Sequence, residues 1–447
     1  MRKKYAPAIA KLTLAAMAGL TLVACGTTDP APRGPIITRQ PEPVIERTPP
    51  PEEEVFEEAR RYDRRGFIDP LHMEDDRPVR VGLLLPFTAD AEAVQRVASA
   101  MFDSAQLAAF EAGDERFLLI PKDTKGTAEG AASAARSALA NGAEIILGPL
   151  FSESVEAVTP VARAAGAPVI AFSSDVEVGG DGVFLLSFPP EIEIARVTDY
   201  AVLQGLSRFG LLAPANDYGE RVSSSFAEEV FVRGGTLVHE ERYIQNPDEM
   251  LAPAKRLARY SKELVPPELR HNYDPNDPSA TGVATGVVQG YQAVLMPEQG
   301  TLLRALAPLL PYYNVDINRI KLLGVSAWNN PRLTREPALR GGWFAGPDPE
   351  ISNGFKQRFK ATFGEEPPRL ASLSYDATLL AARLGRSTSR GRFDDRLITD
   401  VNGYFGADGL FRLRPDGAIE RGLAIMEIQP GGITVIDPAP RSFAVSY

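Results

Sequence analysis

The feature of this sequence that most constrains its fold is a regular alternation of apolar runs and amphipathic stretches that starts at Val79. Each apolar run has the length of a strand, and it is followed by a stretch in which apolar residues recur every three or four positions. This order predicts parallel strands joined by helices, and therefore a doubly wound α/β sheet with helices on both faces. The predicted strands of this first series are 79–86, 117–121, 144–147 and 168–172.

A second series of the same kind begins near Glu191 and predicts a second lobe. Because the segment from Val79 to Tyr447 is longer than the ~250–300 residues at which a single core stops growing, two lobes are expected. Proline-rich residues 262–286 interrupt this series and predict an exposed loop or a protruding insertion. The predicted strands of the second series are 209–213, 236–243, 293–296 and 321–325.

The last part of the chain has a different pattern, in which short apolar segments are separated by turn dipeptides. Asp-Gly and Gly-Gly pairs between short strands are typical of β-hairpins. We therefore expect antiparallel hairpins after residue 403, with turns at Asp408-Gly409, Asp416-Gly417 and Gly431-Gly432.

The first 24 residues have the pattern of a signal peptide. Basic residues precede an apolar run of about 13 residues, which is shorter than the ~20 residues needed to span a bilayer. The run ends at Leu22-Val-Ala-Cys25, which resembles the lipobox of bacterial lipoproteins. We expect cleavage before Cys25, the only cysteine, and a lipid anchor on its thiol. Residues 25–78 are rich in proline and charge and predict a disordered tether.

Charge and motif content disfavour several classes of function. The net charge of −10 argues against a nucleic-acid partner. The three histidines lack metal-ligand spacing, and the sequence contains no P-loop and no Gly-x-Ser-x-Gly elbow. We therefore predict no enzyme, no catalytic residue, no metal site and no cofactor.

Polar residues follow several predicted strands, where ligands bind in open parallel sheets. Hydroxyls and backbone N–H groups at these strand ends are suited to hold a carboxylate or an amide. Each position also has a structural interpretation, since Ser152 is suited to cap a helix and Tyr218 to pack between lobes. The segments are 148–154, 171–175, 214–219 and 297–300.

Several of these motifs resemble the type I periplasmic binding proteins, of which the leucine-binding type is the best-known branch. The resemblance implies an α/β fold with two doubly wound parallel-sheet lobes and a cleft between them. It places lobe 1 at about 79–191 and 327–403, and lobe 2 at about 192–326 and 404–447. The motifs are Val81-Gly-Leu-Leu-Leu-Pro86, Asp123-Thr124, Leu147-Gly-Pro-Leu150, Ala167-Pro-Val-Ile-Ala-Phe-Ser-Ser174, Asn216-Asp-Tyr-Gly219 and Ser374-Tyr-Asp-Ala377.

Three further stretches, together with the lipobox, resemble the penicillin-binding protein activator family of the lipoprotein A type. This resemblance implies a lipid-anchored protein on the periplasmic face of the outer membrane, with the inner membrane as the alternative. Its implied partner is a bifunctional penicillin-binding protein that synthesises peptidoglycan. The chain departs from well-known members because a tether replaces their N-terminal helical-repeat domain. The stretches are Gly341-Gly-Trp-Phe-Ala-Gly346, Phe405-Gly-Ala-Asp-Gly-Leu-Phe-Arg412 and Arg421-Gly-Leu-Ala-Ile-Met426.

The alternative is an amino-acid-binding lipoprotein of an ABC importer. Under the resemblance to the leucine-binding type, four residues hold the carboxylate of a small amino-acid-like ligand and close over it: Ser152, Ser173, Ser174 and Tyr218. Glu298 then faces the ammonium group.

Overall fold

The computed structural model describes residues 78–259, 290–387 and 391–443. The expected signal peptide, Cys25, the tether and the insertion at 262–286 lie outside these residues. None of the helices in the described segments is both long and apolar enough to cross a bilayer.

The described strands form three sheets, and the eight strands that were predicted with bounds lie close to their predicted positions. They are β1 (Val79–Leu85), β2 (Phe117–Asp123), β3 (Ile145–Leu147), β4 (Val169–Ala171), β5 (Val183–Leu185), β6 (Arg208–Pro214), β7 (Thr236–Tyr243), β8 (Ala293–Leu295), β9 (Lys321–Gly324), β10 (Trp343–Gly346), β11 (Tyr404–Gly406), β12 (Gly409–Leu413), β13 (Ile419–Arg421), β14 (Ala424–Gln429) and β15 (Gly432–Asp437).

The described helices connect these strands as the alternation predicts. They are α1 (Glu92–Ala112), α2 (Ala128–Ala140), α3 (Ser152–Ala165), α4 (Pro190–Leu203), α5 (Asp217–Val232), α6 (Leu251–Leu257), α7 (Gly300–Leu306), α8 (Leu309–Tyr312), α9 (Pro349–Phe363), α10 (Ala371–Gly385) and α11 (Asp395–Ile398). The stretch between β8 and β9 forms two helices, α7 and α8, because Pro308 lies between them and cannot donate a helical hydrogen bond.

The first lobe is built on a five-stranded parallel sheet with the order β2-β1-β3-β4-β5. Strand β1 is apolar almost throughout because helices cover both faces of a parallel sheet. Its Leu83 packs into the core shared with α1 and α10, whereas the next residue, Leu84, packs with α2 and α3 on the other face. The alternation of side chains along one strand thus joins two helical layers.

The second lobe is built on a seven-stranded sheet with the order β15-β14-β10-β9-β8-β6-β7. Strands β6 to β10 are parallel, and β14 and β15 are added antiparallel at one edge. The third sheet, β11-β12-β13, is antiparallel, with turns at the predicted Asp-Gly pairs.

The observed lobe boundaries differ from the expected ones in two places. Strand β10, expected in the first lobe as part of 327–403, lies between β9 and β14 in the second sheet. Strands β11 to β13, expected in the second lobe as part of 404–447, pack on the core of the first lobe through Tyr404 and Phe411. Short strands carry little information about their sheet partners, so the linear pattern assigns them poorly.

Three crossovers join the lobes within the described residues, at 186–189, 347–348 and 422–423. The third consists of Gly422 and Leu423 alone. The amide of Gly422 donates to the Leu410 carbonyl in the first lobe (2.8 Å), and the Leu423 carbonyl accepts from Arg196 Nε in the second (3.0 Å). Each residue of this crossover is therefore fixed to a different lobe.

Candidate functional site

A cavity of about 790 Å³ lies between the two lobes. In the second lobe its wall is formed by residues that follow the carboxyl ends of β6, β7, β8 and β9. In the first lobe the wall includes Ser174 after β4 and the N-terminal parts of α9 and α10. The topology of two parallel sheets predicts a ligand site at this position.

The structure brings three of the five predicted cleft residues into the wall of this cavity, namely Ser174, Tyr218 and Glu298. Ser173 is buried outside the wall, and its hydroxyl accepts a hydrogen bond from the Asp175 amide (3.1 Å). Ser152 also lies outside the wall.

Ser152 is the first residue of α3, whose N-cap position is occupied by Phe151 without a capping side chain. The alternative interpretation of Ser152 as a helix cap is therefore wrong by one position.

Glu298 is only 3% exposed, and its carboxylate is surrounded by donors from this chain. Oε2 accepts from the Tyr243 hydroxyl (2.8 Å) and from Gln245 Nε2 (3.0 Å), and Oε1 accepts from the Gln299 amide (2.9 Å). Burial, followed by the adjacent Glu298 charge, raises the pKa of Tyr243 far above its usual range, so this phenol remains a donor. The carboxylate therefore accepts three hydrogen bonds from within this chain.

Tyr218 stands at the start of α5, where Asn216 caps the helix by accepting from the Gly219 amide (2.9 Å). A Cβ atom at Gly219 would lie 1.8 Å from the Pro214 carbonyl oxygen, so only glycine fits this close approach. Burial of its hydroxyl, and then the carboxylates of Glu193 and Glu298, raise the pKa of Tyr218 above its usual range.

A second buried carboxylate, which the sequence analysis did not identify, is Glu193 in the first turn of α4. Its Oε2 accepts from the Ser326 amide (2.8 Å) and its Oε1 from the Ser326 hydroxyl (2.6 Å). Arg369 of the first lobe also donates to Oε1 (3.2 Å). Burial raises the pKa of Glu193, whereas Arg369 and Ser326 oppose this shift. The only sequence indication was a glutamate on the apolar face of a helix.

Phe188, in the first crossover, lies between two guanidinium groups. Arg369 is 4.2 Å from the centroid of its ring, and Arg421 is 4.4 Å from it. Arg421 is buried and donates from Nε to the Ser187 carbonyl (2.8 Å). Desolvation lowers the pKa of Arg421, and the carboxylates of Asp408 and Asp376 partly offset that effect. The aromatic ring stabilises both cations beside the crossovers, which together form the hinge between the lobes.

Asp376, in the Ser374-Tyr-Asp-Ala377 motif, is a buried acid next to this hinge. Its Oδ1 accepts from the Ala407 amide (2.6 Å), which fixes the turn between β11 and β12. Burial, followed by the neighbouring Asp408 carboxylate, raises the pKa of Asp376 to about 7. Asp408 itself accepts a hydrogen bond from the Ser372 hydroxyl (2.6 Å) and lies in the cavity wall.

A second polar bridge joins the lobes at Arg221, on α5. Its Nη2 donates to the Ser174 carbonyl of the first lobe (3.0 Å) and to Glu191 Oε1 (2.7 Å). Ser174 therefore meets the second lobe through its backbone, a contact that does not depend on the identity of its side chain.

These features define the class of fold. Two parallel-sheet lobes, joined by three crossovers around an interlobe cleft, form the type I periplasmic-binding-protein fold, as predicted. Among the described residues, no group of three or more histidine, cysteine, aspartate or glutamate side chains is arranged to hold a metal ion.

Comparisons with known proteins agree with this class. The sequence profile of a family described as "Periplasmic binding protein" matches residues 78–259. No curated protein sequence matches the chain.

Solved structures similar to this chain include a putative branched-chain amino acid ABC transporter protein from Rhodospirillum rubrum (TM-score 0.65, 17% identity, 80% of this chain and 100% of that chain). An ABC transporter substrate-binding protein from Sphaerobacter thermophilus is also similar (TM-score 0.61, 18% identity, 82% and 98%). A third is a branched-chain amino acid transporter substrate-binding protein from Streptococcus pneumoniae in complex with isoleucine (TM-score 0.52, 18% identity, 81% and 100%). At these low sequence identities the similarity shows a shared fold and nothing about function.

Proposed function

We propose that this chain is a lipid-anchored periplasmic regulator that acts by binding and activates a peptidoglycan synthase of the bifunctional penicillin-binding protein class. The observation that carries this proposal is the environment of Glu298. Three donors of this chain, Tyr243, Gln245 and the Gln299 amide, already occupy both of its oxygens. A free amino acid would have to share these oxygens with donors of this chain, so Glu298 offers an ammonium group only about one of its roughly four acceptor positions.

The resemblance of the C-terminal motifs to the activator family supports the same proposal. In the proposed arrangement the folded part recognises another protein, and the lipid at Cys25 and the tether set its distance from the outer membrane. The inner membrane is the alternative location.

In-cell crosslinking tests the partner. A photoreactive residue at exposed positions on the cleft rim of the intact lipoprotein should capture a peptidoglycan synthase, and the purified protein should raise the transpeptidase rate of that synthase. Placing the same residue at Phe110, which is 85% exposed on α1, controls for nonspecific capture. Crosslinks that never include a synthase would refute the proposal.

The anchor is tested separately with Cys25→Ala. Wild-type protein should incorporate an alkyne-labelled fatty acid and sediment with membranes, whereas the variant should do neither. A variant that still sediments with membranes contradicts the lipid anchor.

A second candidate function is the capture of an amino acid for an ABC importer. Two observations favour it: Ser174, Tyr218 and Glu298 line the same cavity, and one similar solved structure contains isoleucine. Calorimetry with the common amino acids decides between the candidates. Tight binding of one of them would support import and contradict the regulator.

A further inference from the structure

A groove crosses the first lobe at the amino ends of β4 and β5, the end of the sheet opposite to the interlobe cavity. It consists of two adjoining cavities of about 480 and 290 Å³, which share Thr159, Arg163 and Asp181 in their walls. Apolar side chains of the core, among them Val169 and Val183, also line it. These two cavities together are called the basal groove.

The basal groove carries an excess of negative charge. Its lining contains five exposed carboxylates and a single arginine, Arg163, which is bonded to Asp181 (2.9 Å). The C-terminal end of α3 also lines the groove, and a helix C-terminus carries partial negative charge. Throughout residues 78–259, 290–387 and 391–443, no basic side chain pairs with Glu156, Glu177 or Asp395. The five carboxylates are those of Glu156, Glu177, Asp181, Asp394 and Asp395.

The described chain begins beside this groove. Arg392 is buried, and its Nη2 donates to the Pro78 carbonyl (2.8 Å). The next residue, Phe393, packs in the core of the first lobe and also lines the basal groove. The chain that precedes Pro78 therefore joins the first lobe at the border of the groove.

A segment of opposite charge lies close to this attachment point in the sequence. Arg60-Arg-Tyr-Asp-Arg-Arg65 contains four arginines and one aspartate, and it ends 13 residues before Pro78. Extended chain of this length spans up to about 43 Å, whereas the three strand spacings from β1 to β5 amount to about 14 Å. The segment is therefore able to reach the groove, and its covalent link keeps it there at a high effective concentration.

We propose that residues 60–65 dock in the basal groove of their own chain, with their guanidinium groups on its unpaired carboxylates. Arginine suits this role because its planar group binds a carboxylate through two parallel hydrogen bonds. Docking removes residues 60–77 from the predicted tether and leaves residues 25–59 to span the distance from the membrane. The groove thus limits the reach of the folded part. This proposal goes beyond the proposed function and does not depend on it, because it involves only this chain.

Limited digestion of the intact lipoprotein with trypsin tests the docking, because trypsin cleaves after arginine. The quantity to measure is the cleavage rate within residues 60–65 divided by the rate after Arg47, which lies elsewhere in the predicted tether. Docked arginines are protected, so the ratio should be low in wild-type protein. It should rise with salt concentration, since salt screens exposed charges.

Charge reversal in the groove should release the segment. The double variant Glu177→Lys/Asp395→Lys should raise the cleavage ratio about fivefold or more, because two attractive charges become repulsive. The matched control Glu228→Lys/Glu249→Lys makes the same change in net charge on the second lobe and should alter the ratio less than about twofold. All four positions are exposed, and thermal unfolding verifies that both variants fold.

Disulfide crosslinking locates the docked segment. In a Cys25→Ala background, Asp63→Cys should crosslink faster with Ala164→Cys, at the end of α3, than with Glu115→Cys. Position 115 is a strict control, because the residue after it bonds the Val79 amide through its carbonyl (2.8 Å). An undocked segment would meet position 115 at least as often as position 164.

Three outcomes overturn the proposal: equal cleavage ratios in wild-type protein and the groove variant, equal changes in the groove and control variants, or faster crosslinking to position 115. Protection that falls on dilution would place the segment in the groove of a second copy and would also overturn it. Failure of synthase crosslinking would refute the proposed function and leave these results unchanged, whereas an unprotected segment would leave the proposed function standing.

Discussion

Arg369 donates from Nη2 to Oε1 of Glu193 at 3.2 Å, and the two residues belong to opposite walls of the cleft. The pair joins the lobes at a point where Glu193 is buried and Arg369 is partly exposed. The same guanidinium stacks on Phe188. One side chain therefore couples the first lobe to both the second lobe and the hinge.

Replacing Arg369 by alanine should lower the free energy of unfolding by about 1–3 kcal/mol, because a buried carboxylate loses its cation. Arg369→Lys should lose less, since it retains the charge but not the planar group that stacks on Phe188. Urea denaturation measures both values. An Arg369→Ala variant within about 0.5 kcal/mol of wild type would show that the pair contributes little.

Replacing Gly406 by alanine should destabilise the protein by about 1–3 kcal/mol through overpacking. A Cβ atom at this position would lie 2.4 Å from the Asp376 carboxyl group, and Asp376 cannot move without releasing the Ala407 amide. The control is Gly431→Ala in the turn before β15, where a Cβ meets nothing within 4 Å. Thermal unfolding should separate the two variants clearly, and equal melting temperatures would contradict the packing argument.

The free energy of unfolding should fall as the pH rises from about 4 to about 7, because of Asp376. Its pKa is raised to about 7 in the folded state, so in this window the folded protein keeps a proton that the unfolded chain has released. The contribution of Asp376 to the free energy of unfolding falls by at most about 1.4 kcal/mol for each unit of rising pH, and it is constant well above pH 7.

Asp376→Asn accepts the same hydrogen bond and does not titrate. The difference in unfolding free energy between wild type and this variant should therefore change with pH across the window, as measured by urea denaturation at several pH values. Parallel profiles for the two proteins would show that Asp376 ionises normally.

Replacing Glu298 by alanine should cost about 1–3 kcal/mol, mainly because the buried Tyr243 hydroxyl loses its acceptor. Glu298→Gln should lose less, since it retains one acceptor oxygen. A double-mutant cycle with Tyr243→Phe should give a coupling energy of about 0.5 kcal/mol or more. A cycle with no coupling would mean that the Tyr243 hydroxyl finds another partner.

Local pattern was enough to predict much of the fold. Strand β7 has the predicted bounds, because a strand of this length with a regular apolar pattern is encoded within a few consecutive residues. Strands β5 and β10 were not predicted, since three or four apolar residues are too short to show a period. The assignment of β10 and of β11–β13 to lobes failed because sheet partners are chosen in three dimensions.

The cleft was predictable in position and only partly in composition. Their positions after predicted strands indicated Ser174, Tyr218 and Glu298 as cleft residues, and all three line the cavity. Glu193 and Arg369 were missed because they are 176 positions apart in the chain, and nothing local in either segment indicates the other. Two of the donors to Glu298, Tyr243 at the end of β7 and Gln245 two residues later, are more than 50 positions away in the chain, so these hydrogen bonds could not be predicted either.

The short crossover at Gly422 and Leu423 determines how the two walls are able to move. Since each of these residues is bonded to a different lobe, a change in cleft width requires a rotation within the one or two peptide units between them, together with matching changes at the other two crossovers. Displacement in a rotation grows with distance from the axis. A ligand group held near Arg421 therefore experiences walls of almost constant separation. The hydrogen bond from Arg221 to the Ser174 carbonyl joins the two lobes, so a rotation that separates the walls at that point must break it.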